Sequence, residues 1–207
     1  MAALIRALSR NVSTEASIEL LAKEAGLDYE GISRPSVRKY LDQLTQIFVL
    51  EELPAWGIHL RSSIRMRVKP KWHFVDPSLA TAALYATAPS LLDDLNTIGL
   101  LFESMAVRDI RVYADAHNAK VFHYRDSTNL EIDAIVERRD GVWSAIEVKL
   151  GGEKAVDEAI ANFKKLKARL TKEKLENLAM CVVVTAGEYS YIRPDGVAII
   201  ALGHLFA

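Results

Sequence analysis

The sequence contains one cysteine, Cys181, and no long apolar run. A single cysteine cannot form an intramolecular disulfide, and no apolar stretch approaches the roughly 20 residues that a membrane-spanning helix needs. The first residues lack the long apolar core of a signal peptide. The missing signal peptide and the single cysteine predict a cytoplasmic protein, and the lack of a long apolar run predicts that it does not bind membranes. Because 50% of the 207 residues are hydrophobic and 26% are charged, we expect it to be soluble and globular.

Several functional motifs are also missing. The chain has no Gly-x4-Gly-Lys-Ser/Thr loop to hold phosphates, so we expect no ATP site in it. Its five histidines show no metal-ligand spacing, which argues against zinc, and no Gly-x-Ser-x-Gly segment offers a serine nucleophile. The formal net charge is −1, so any contact with nucleic acid must come from local basic patches.

Two carboxylates and a lysine stand out in the second half of the chain. Asp133 lies in one alternating segment, and Glu147 and Lys149 lie in the next. The pattern predicts a β-hairpin, and a three-residue loop with Gly141 in the left-handed conformation would set Asp133 opposite Glu147. In that register one face is apolar and the other is charged. The apolar face would match Leu130 with Leu150, Ile132 with Val148 and Ala134 with Ile146, and the charged face would set Glu131 opposite Lys149.

The opposed carboxylates suggest a metal site. Side chains directly opposite each other in a hairpin have Cβ atoms about 5 Å apart, and like charges there are destabilising. Mg²⁺ (or Mn²⁺) would turn this repulsion into binding, because hard cations take carboxylate oxygens. Lys149 points to the same side as Glu147. We therefore predict a metal-dependent phosphodiesterase site with Asp133, Glu147 and Lys149 as catalytic residues; a solvated charged face without a metal is the alternative.

A third acid, Glu103, interrupts an apolar helix predicted over residues 96–110. It lies within the apolar stripe of that helix rather than on its polar face. A buried charge is costly unless it is paired or bound to a metal. We predict Glu103 as a third metal ligand of the same site, and the alternative is an ion pair with an arginine such as Arg108 or Arg111.

The first part of the chain predicts a helix-turn-helix. One helix would run from Ser17 to Ala25 and end at Gly26 in a left-handed C-cap. A second would begin after the N-cap Ser33 and run to about Gln46, followed by a strand over 48–53 that begins a wing. A packing or hinge module is the alternative to DNA binding. In the DNA-binding interpretation, the second helix enters the major groove and presents Arg34, Ser36, Arg38 and Lys39.

A basic segment follows over residues 61–71, with five cations and no acid. If it is a strand, Arg65, Arg67, Lys69 and Lys71 share one face and could follow a phosphate backbone. We therefore predict that Arg65, Arg67 and Lys69 bind nucleic acid. A solvated edge strand protected by cations against aggregation would have the same composition.

The second half predicts a helix, three strands, a helix and two strands. With Glu103, Asp133, Glu147 and Lys149 in their places, this order resembles the PD-(D/E)xK nuclease fold, the core of many restriction and repair endonucleases. The resemblance implies an α/β protein (α+β, mixed sheet) with a restriction-endonuclease-like αβββαβ core in residues 89–207. We expect a winged helix-turn-helix domain with its basic strand in residues 1–88.

Four motifs point to a closer resemblance that covers nearly the whole chain, and they lie at residues 71–80, 99–103, 124–133 and 146–149. Together they resemble the C-terminal domain of unknown function in a large family of prokaryotic predicted AAA+-type ATPases. The resemblance implies an ATPase module as a partner, in cis or in trans. We expect a Mg²⁺-dependent, nuclease-like DNA-processing domain; the alternative is a catalytically inactive DNA-binding or protein-interaction module that regulates an ATPase.

Overall fold

The computed structural model describes residues 1–28, 31–57 and 68–205. The structure is of the mixed α/β class, and its contacts divide the chain into two compact units. The first comprises Met1–Leu53 and Lys69–Met105, and the second comprises Pro54–Val68 and Ala106–Ala207. The domain boundary placed between residues 88 and 89 stays a prediction. None of the described helices is both long and apolar enough to cross a membrane.

The first unit consists of helices and a two-stranded antiparallel sheet, in which Leu50 pairs with Phe74. Its core is formed by apolar side chains of the first three helices and both strands, among them Leu4, Leu21 and Leu41. The elements are α1 (Ala2–Arg10), α2 (Ile18–Asp28), α3 (Arg34–Gln46), β1 (Leu50–Leu53), β2 (Lys71–Phe74), α4 (Pro77–Ala83) and α5 (Ala88–Leu92).

The predicted helix pair is present, with one difference. α3 begins as expected, because the Ser33 side chain accepts a hydrogen bond from the Ser36 backbone N–H. The predicted end of the first helix at Gly26 is wrong: α2 continues to Asp28, and Gly26 does not have a positive φ. A Cβ at Gly26 would meet the Gly31 Cα at 3.4 Å. This is an ordinary van der Waals distance, so neither a left-handed cap nor a close backbone approach requires glycine here.

The second unit is built on a six-stranded mixed sheet in the order β3-β4-β5-β6-β8-β7. Strands β3, β4 and β5 are antiparallel, β5, β6 and β8 are parallel, and β7 is antiparallel to β8. The strands are β3 (Ala119–Arg125), β4 (Glu131–Arg138), β5 (Trp143–Lys149), β6 (Leu178–Thr185), β7 (Tyr191–Ile192) and β8 (Ala198–Ala201).

Three helices accompany this sheet along the chain. α6 (Leu95–Ala116) precedes β3 and begins in the first unit. α7 (Glu153–Lys167) connects β5 to β6, with the short α8 (Lys172–Glu176) after it, and a 3-10 turn (Leu202–His204) follows β8. The second unit thus contains the predicted order of elements, with α8 and the two-residue β7 in addition.

One face of the sheet and α7 enclose the core of the second unit. α7 contributes Ala159, Phe163 and Leu166 at helical spacing, and the sheet contributes apolar residues from five strands. Trp56 and Trp143 lie at the centre with ring centroids 4.7 Å apart. β5 is third in the six-stranded order and is therefore an interior strand on which a functional side chain is sheltered from water.

Candidate functional site

β4 and β5 pair in the predicted register, with Ala134 opposite Ile146. The loop between them has three residues, because Arg138 N donates to Val142 O at 2.9 Å. Gly141 has a φ of +86°, so its predicted left-handed conformation is confirmed. The residues next to this pair are Asp133 on β4 and Glu147 on β5, and the register therefore brings them close together.

A β-bulge changes the direction of Asp133. On β4, Asp133 and Ala134 together lie opposite the single residue His123 of β3. A bulge of this kind bends its strand and re-aims the side chains of the extra residue. The Oδ2 atom of Asp133 consequently accepts a hydrogen bond from the Val148 backbone N–H across the hairpin, at 2.7 Å.

Lys149 joins the two carboxylates. Its Nζ lies 2.6 Å from Glu147 Oε2 and 3.6 Å from Asp133 Oδ2. The Glu147 side chain is only 2% exposed, whereas that of Lys149 is 26% exposed. The ammonium group is therefore the part of this cluster most accessible to water. The structure brings together the three residues that the sequence singled out as catalytic.

Asn162 of α7 is a fourth member of the cluster, and the sequence analysis missed it. Its Nδ2 donates a hydrogen bond to Glu147 Oε1 at 3.1 Å. The feature that could have identified Asn162 is its position on α7. It lies beside the buried Phe163 and about one turn from the buried Ala159 and Leu166. An amide next to an apolar stripe indicates a specific partner, because buried polar groups require hydrogen bonds.

The face that carries Glu147 is buried, which corrects the expected pattern of one apolar and one charged, wet face. Side chains alternate along a strand, so Glu147 shares its face with Trp143 and Ala145. Both of these lie in the core that α7 covers, while Ile146 and Val148 on the opposite face are also buried. The physical reason is the position of β5 inside the sheet, since parallel strands connected by helices bury both faces.

Burial changes the acidity of Glu147. It raises the pKa of this carboxyl group from the ordinary 4.5 to about 8, and the negative charge of Asp133 adds to the rise. The Lys149 ammonium and the Asn162 amide act in the opposite direction. At neutral pH the pKa of Glu147 thus favours the protonated form. A strongly raised pKa with a specific charge partner marks a candidate functional site.

The cluster also occupies a favourable place in the fold. Lys149, at the end of β5, pairs with Thr185 at the end of β6, and Thr185 pairs with Ala201 at the end of β8. The carboxyl ends of three parallel strands therefore meet beside the cluster. In open α/β sheets, ligands bind outside this edge of the strands.

Glu103 lies in the first unit, where one of its partners is Lys71. Its Oε1 accepts from Lys71 Nζ at 2.8 Å, and the Lys71 side chain is 2% exposed. Lys71 is thus buried by its position in β2. This corrects the expectation that Lys71 belongs to an exposed basic face with Arg65, Arg67 and Lys69. Within the described ranges, no group of three or more His, Cys, Asp or Glu side chains is placed to hold a metal ion. The role of Glu103 as a ligand stays a prediction.

The proposed nucleic-acid residues of α3 form an open surface in the first unit. Arg34, Arg38 and Lys39 are exposed, and Arg34 forms an ion pair with Glu19 of α2. Ser36 is half-buried, and its hydroxyl lies at hydrogen-bonding distance from that of the N-cap. A groove of about 850 Å³ follows this helix and is lined by Ile18, Arg34, Pro35, Arg38, Lys39, Asp42, Gln43 and Gln46.

Three residues of the predicted nucleic-acid surface remain, namely Arg65, Arg67 and Lys69. Lys69 is exposed. The prediction for Arg65 and Arg67 lies outside the described residues.

Models of two protein families match parts of the chain. Residues 98–205 match the model described as Domain of unknown function (DUF4143), and residues 1–90 match that described as Domain of unknown function (DUF8612). No curated protein and no solved structure matched the chain. The first match extends over more than half of the 207 residues and includes Asp133, Glu147, Lys149 and Asn162. The chain therefore belongs to the DUF4143 family of domains of unknown function.

Proposed function

We propose that the second unit is a Mg²⁺-dependent, nuclease-like domain that hydrolyses phosphodiester bonds in DNA. The observation that carries this proposal is the convergence of Asp133 and Glu147 on Lys149 at the carboxyl end of β5. Mg²⁺ prefers oxygen ligands and is commonly held by one or two carboxylates with several waters. The donor set of this cluster therefore fits the ion, and Mn²⁺ would suit the same oxygens.

Each residue of the cluster has a proposed role. Asp133 and Glu147 would hold the metal. When bound, the metal would lower the pKa of a water molecule and stabilise negative charge on the phosphate. In the hydrolysis, the water oxygen would bond to phosphorus and give a proton to solvent, while the bond from phosphorus to the leaving oxygen would break and that oxygen would take up a proton from solvent. Lys149, the more exposed member, would orient the water or neutralise the phosphate oxygens.

The order of elements supports the nuclease part of the proposal. α6, β3, β4, β5, α7 and β6 come in the αβββαβ order of PD-(D/E)xK nucleases, with only the short α8 inserted between α7 and β6. Two of the proposed acids and the lysine lie on the second and third of these strands. Fold order alone does not give a function, so the proposal depends on the chemistry of the cluster.

The first unit supports DNA as the substrate class. Among the described elements, α2, α3, β1 and β2 come in the order of two helices and two strands, which is the order of a winged helix. α3 exposes Arg38 and Lys39 along an open groove. A helix with such cations can contact phosphates and the guanine edges of the major groove. We propose that this surface holds DNA.

Metal binding is the first experiment. Calorimetric titration of Mn²⁺ and Mg²⁺ should show saturable binding to the wild type and none to Glu147→Ala. Glu158→Gln, which changes an exposed acid on α7, is the matched control and should bind like the wild type. Equal binding by the wild type and Glu147→Ala would refute this metal site.

Cleavage of duplex and single-stranded DNA tests the chemical step. With Mg²⁺ present, Lys149→Ala should retain metal binding but lose at least about 100-fold in cleavage rate, as expected for a group that stabilises transition-state charge. A variant that cleaves DNA as fast as the wild type would remove Lys149 from the mechanism.

A second candidate function is a catalytically inactive module that binds a protein, such as an ATPase module in cis or in trans. The observation that favours it is the Lys149 ammonium, 2.6 Å from the buried Glu147, because an ion pair of this kind can neutralise the acids without a metal. This candidate predicts no saturable Mn²⁺ or Mg²⁺ binding by the wild type. It also predicts that Lys149→Met lowers the free energy of unfolding, because the two acids lose the cation that they share.

A further inference from the structure

We infer that Asn162 is the positioning residue that fixes the orientation of the Glu147 carboxylate for metal binding. The inference rests on the proposed metal-dependent function. The two oxygens of Glu147 have different neighbours: Oε1 accepts from Asn162 Nδ2 at 3.1 Å, and Oε2 lies 2.6 Å from Lys149 Nζ. The amide thus holds one oxygen on the side of α7 and directs the other toward Lys149 and Asp133.

The position of Asn162 makes it a rigid support. It lies in the interior of α7, which is anchored by the buried Ala159, Phe163 and Leu166. Asparagine is a poor residue for a helix interior, costing up to about 0.7 kcal/mol relative to alanine. Its side chain is short and has few rotatable bonds, so a hydrogen bond from a packed helix restricts Glu147 at small entropic cost.

The chemistry of the amide suits a metal ligand. Asn162 donates an N–H and carries no charge, so it stabilises the ionised carboxylate without competing for the cation. A second donor, Val148 N, restrains Asp133 in the same way. Both proposed ligands in this unit therefore have an outer hydrogen-bond donor. Removal of such outer partners typically weakens metal affinity about 10- to 100-fold.

Three substitutions of Asn162 distinguish its role in orienting Glu147 from a contribution to packing. Asn162→Ala removes the donor and volume, Asn162→Leu removes the donor but keeps most of the volume, and Asn162→Gln keeps an amide donor. In Mn²⁺ calorimetry we expect Asn162→Ala and Asn162→Leu to raise the Kd about 10- to 100-fold. Asn162→Gln should recover part of the lost affinity. Lys165→Ala, on the exposed side of α7, should leave the Kd unchanged. Wild-type Mn²⁺ affinity in Asn162→Leu would overturn the inference.

A measurement without metal distinguishes failure of this inference from failure of the proposed function. In the metal-free protein, the side-chain amide protons of Asn162 should exchange slowly with water in NMR spectra, and Glu147→Ala should accelerate that exchange. If the wild type binds no Mn²⁺ but shows this effect, the positioning contact stands and the metal-dependent function falls. Fast exchange that Glu147→Ala leaves unchanged would overturn the inference, whatever the metal result.

Discussion

At the residue scale, Glu147 is the residue on which the site depends most. It is a buried acid with three polar neighbours, Asp133, Lys149 and Asn162. Its identity as a site residue followed from the sequence, through its spacing from Lys149 and its predicted register with Asp133. The Asn162 contact did not follow, since no local pattern connects residues 15 positions apart on a strand and a helix. Likewise, the ion pair of Glu103 with Lys71 did not follow, because the two residues are far apart in sequence.

The raised pKa of Glu147 predicts how stability depends on pH. Between 4.5 and about 8, the folded protein holds a proton that the unfolded chain has released. The free energy of unfolding should therefore fall as the pH rises through this window, by at most about 1.4 kcal/mol per pH unit for one proton. Glu147→Gln should remove this contribution. Urea unfolding at a series of pH values in the presence of a chelator measures it, and identical pH profiles would contradict the prediction.

The buried pair of Lys71 and Glu103 predicts a large effect on the stability of the first unit. Lys71→Met leaves the Glu103 carboxylate, only 12% exposed, without this cation. Loss of one partner of a buried ion pair costs about 3–5 kcal/mol, so we expect a decrease near the lower end of that range. The double variant Lys71→Met/Glu103→Leu should recover much of the loss. Urea unfolding provides the test, and a Lys71→Met variant as stable as the wild type would contradict it.

At the element scale, the hairpin of β4 and β5 shows what local patterns reveal. Its turn chemistry and alternating residues predicted the register, and Gly141 has the expected left-handed conformation. The bulge at Asp133 and Ala134 was not predictable, because it depends on pairing with β3. The same limit applies to Gly26, which has the sequence signature of a cap but lies inside α2.

The turn glycine can be tested directly. Gly141→Ala should destabilise the protein by about 1–2 kcal/mol, because an L-residue in the left-handed region brings its Cβ close to the backbone. Gly99→Ala is the matched control: Gly99 lies within α6, has no heavy atom within 4 Å of a built Cβ, and should gain up to about 1 kcal/mol. Thermal unfolding of both variants measures the difference. Equal effects at the two sites would show that the conformation of Gly141 is not a constraint.

At the scale of the whole molecule, the charge is nearly balanced, with 26 basic and 27 acidic residues. A chain of this composition has no overall attraction to DNA, so affinity must come from a local surface. The exposed cations of α3 are the described candidate, and their groove also contains Asp42. The proposed DNA binding should therefore involve few phosphate contacts and be sensitive to salt.

Substitutions on α3 test this surface in the full chain. Arg38→Ala and Lys39→Ala should each weaken duplex DNA binding and reduce the slope of log K against log salt by about 1, because each removes one phosphate contact. Fluorescence anisotropy at several salt concentrations measures both quantities. Lys172→Ala, an exposed lysine on α8 of the second unit, is the control and should change neither. Unchanged slopes in all three variants would exclude α3 as the DNA surface.

The sequence by itself determined the mixed α/β class, the order of most elements, the hairpin register and the grouping of Asp133, Glu147 and Lys149. These features depend on side-chain alternation, helix periodicity and turn chemistry, which act between neighbours along the chain. Only the tertiary structure decided that β5 is buried on both faces, that Asn162 supports Glu147 and that Lys71 is a buried partner of Glu103. These contacts join distant segments, and packing around the whole fold fixes which segments meet.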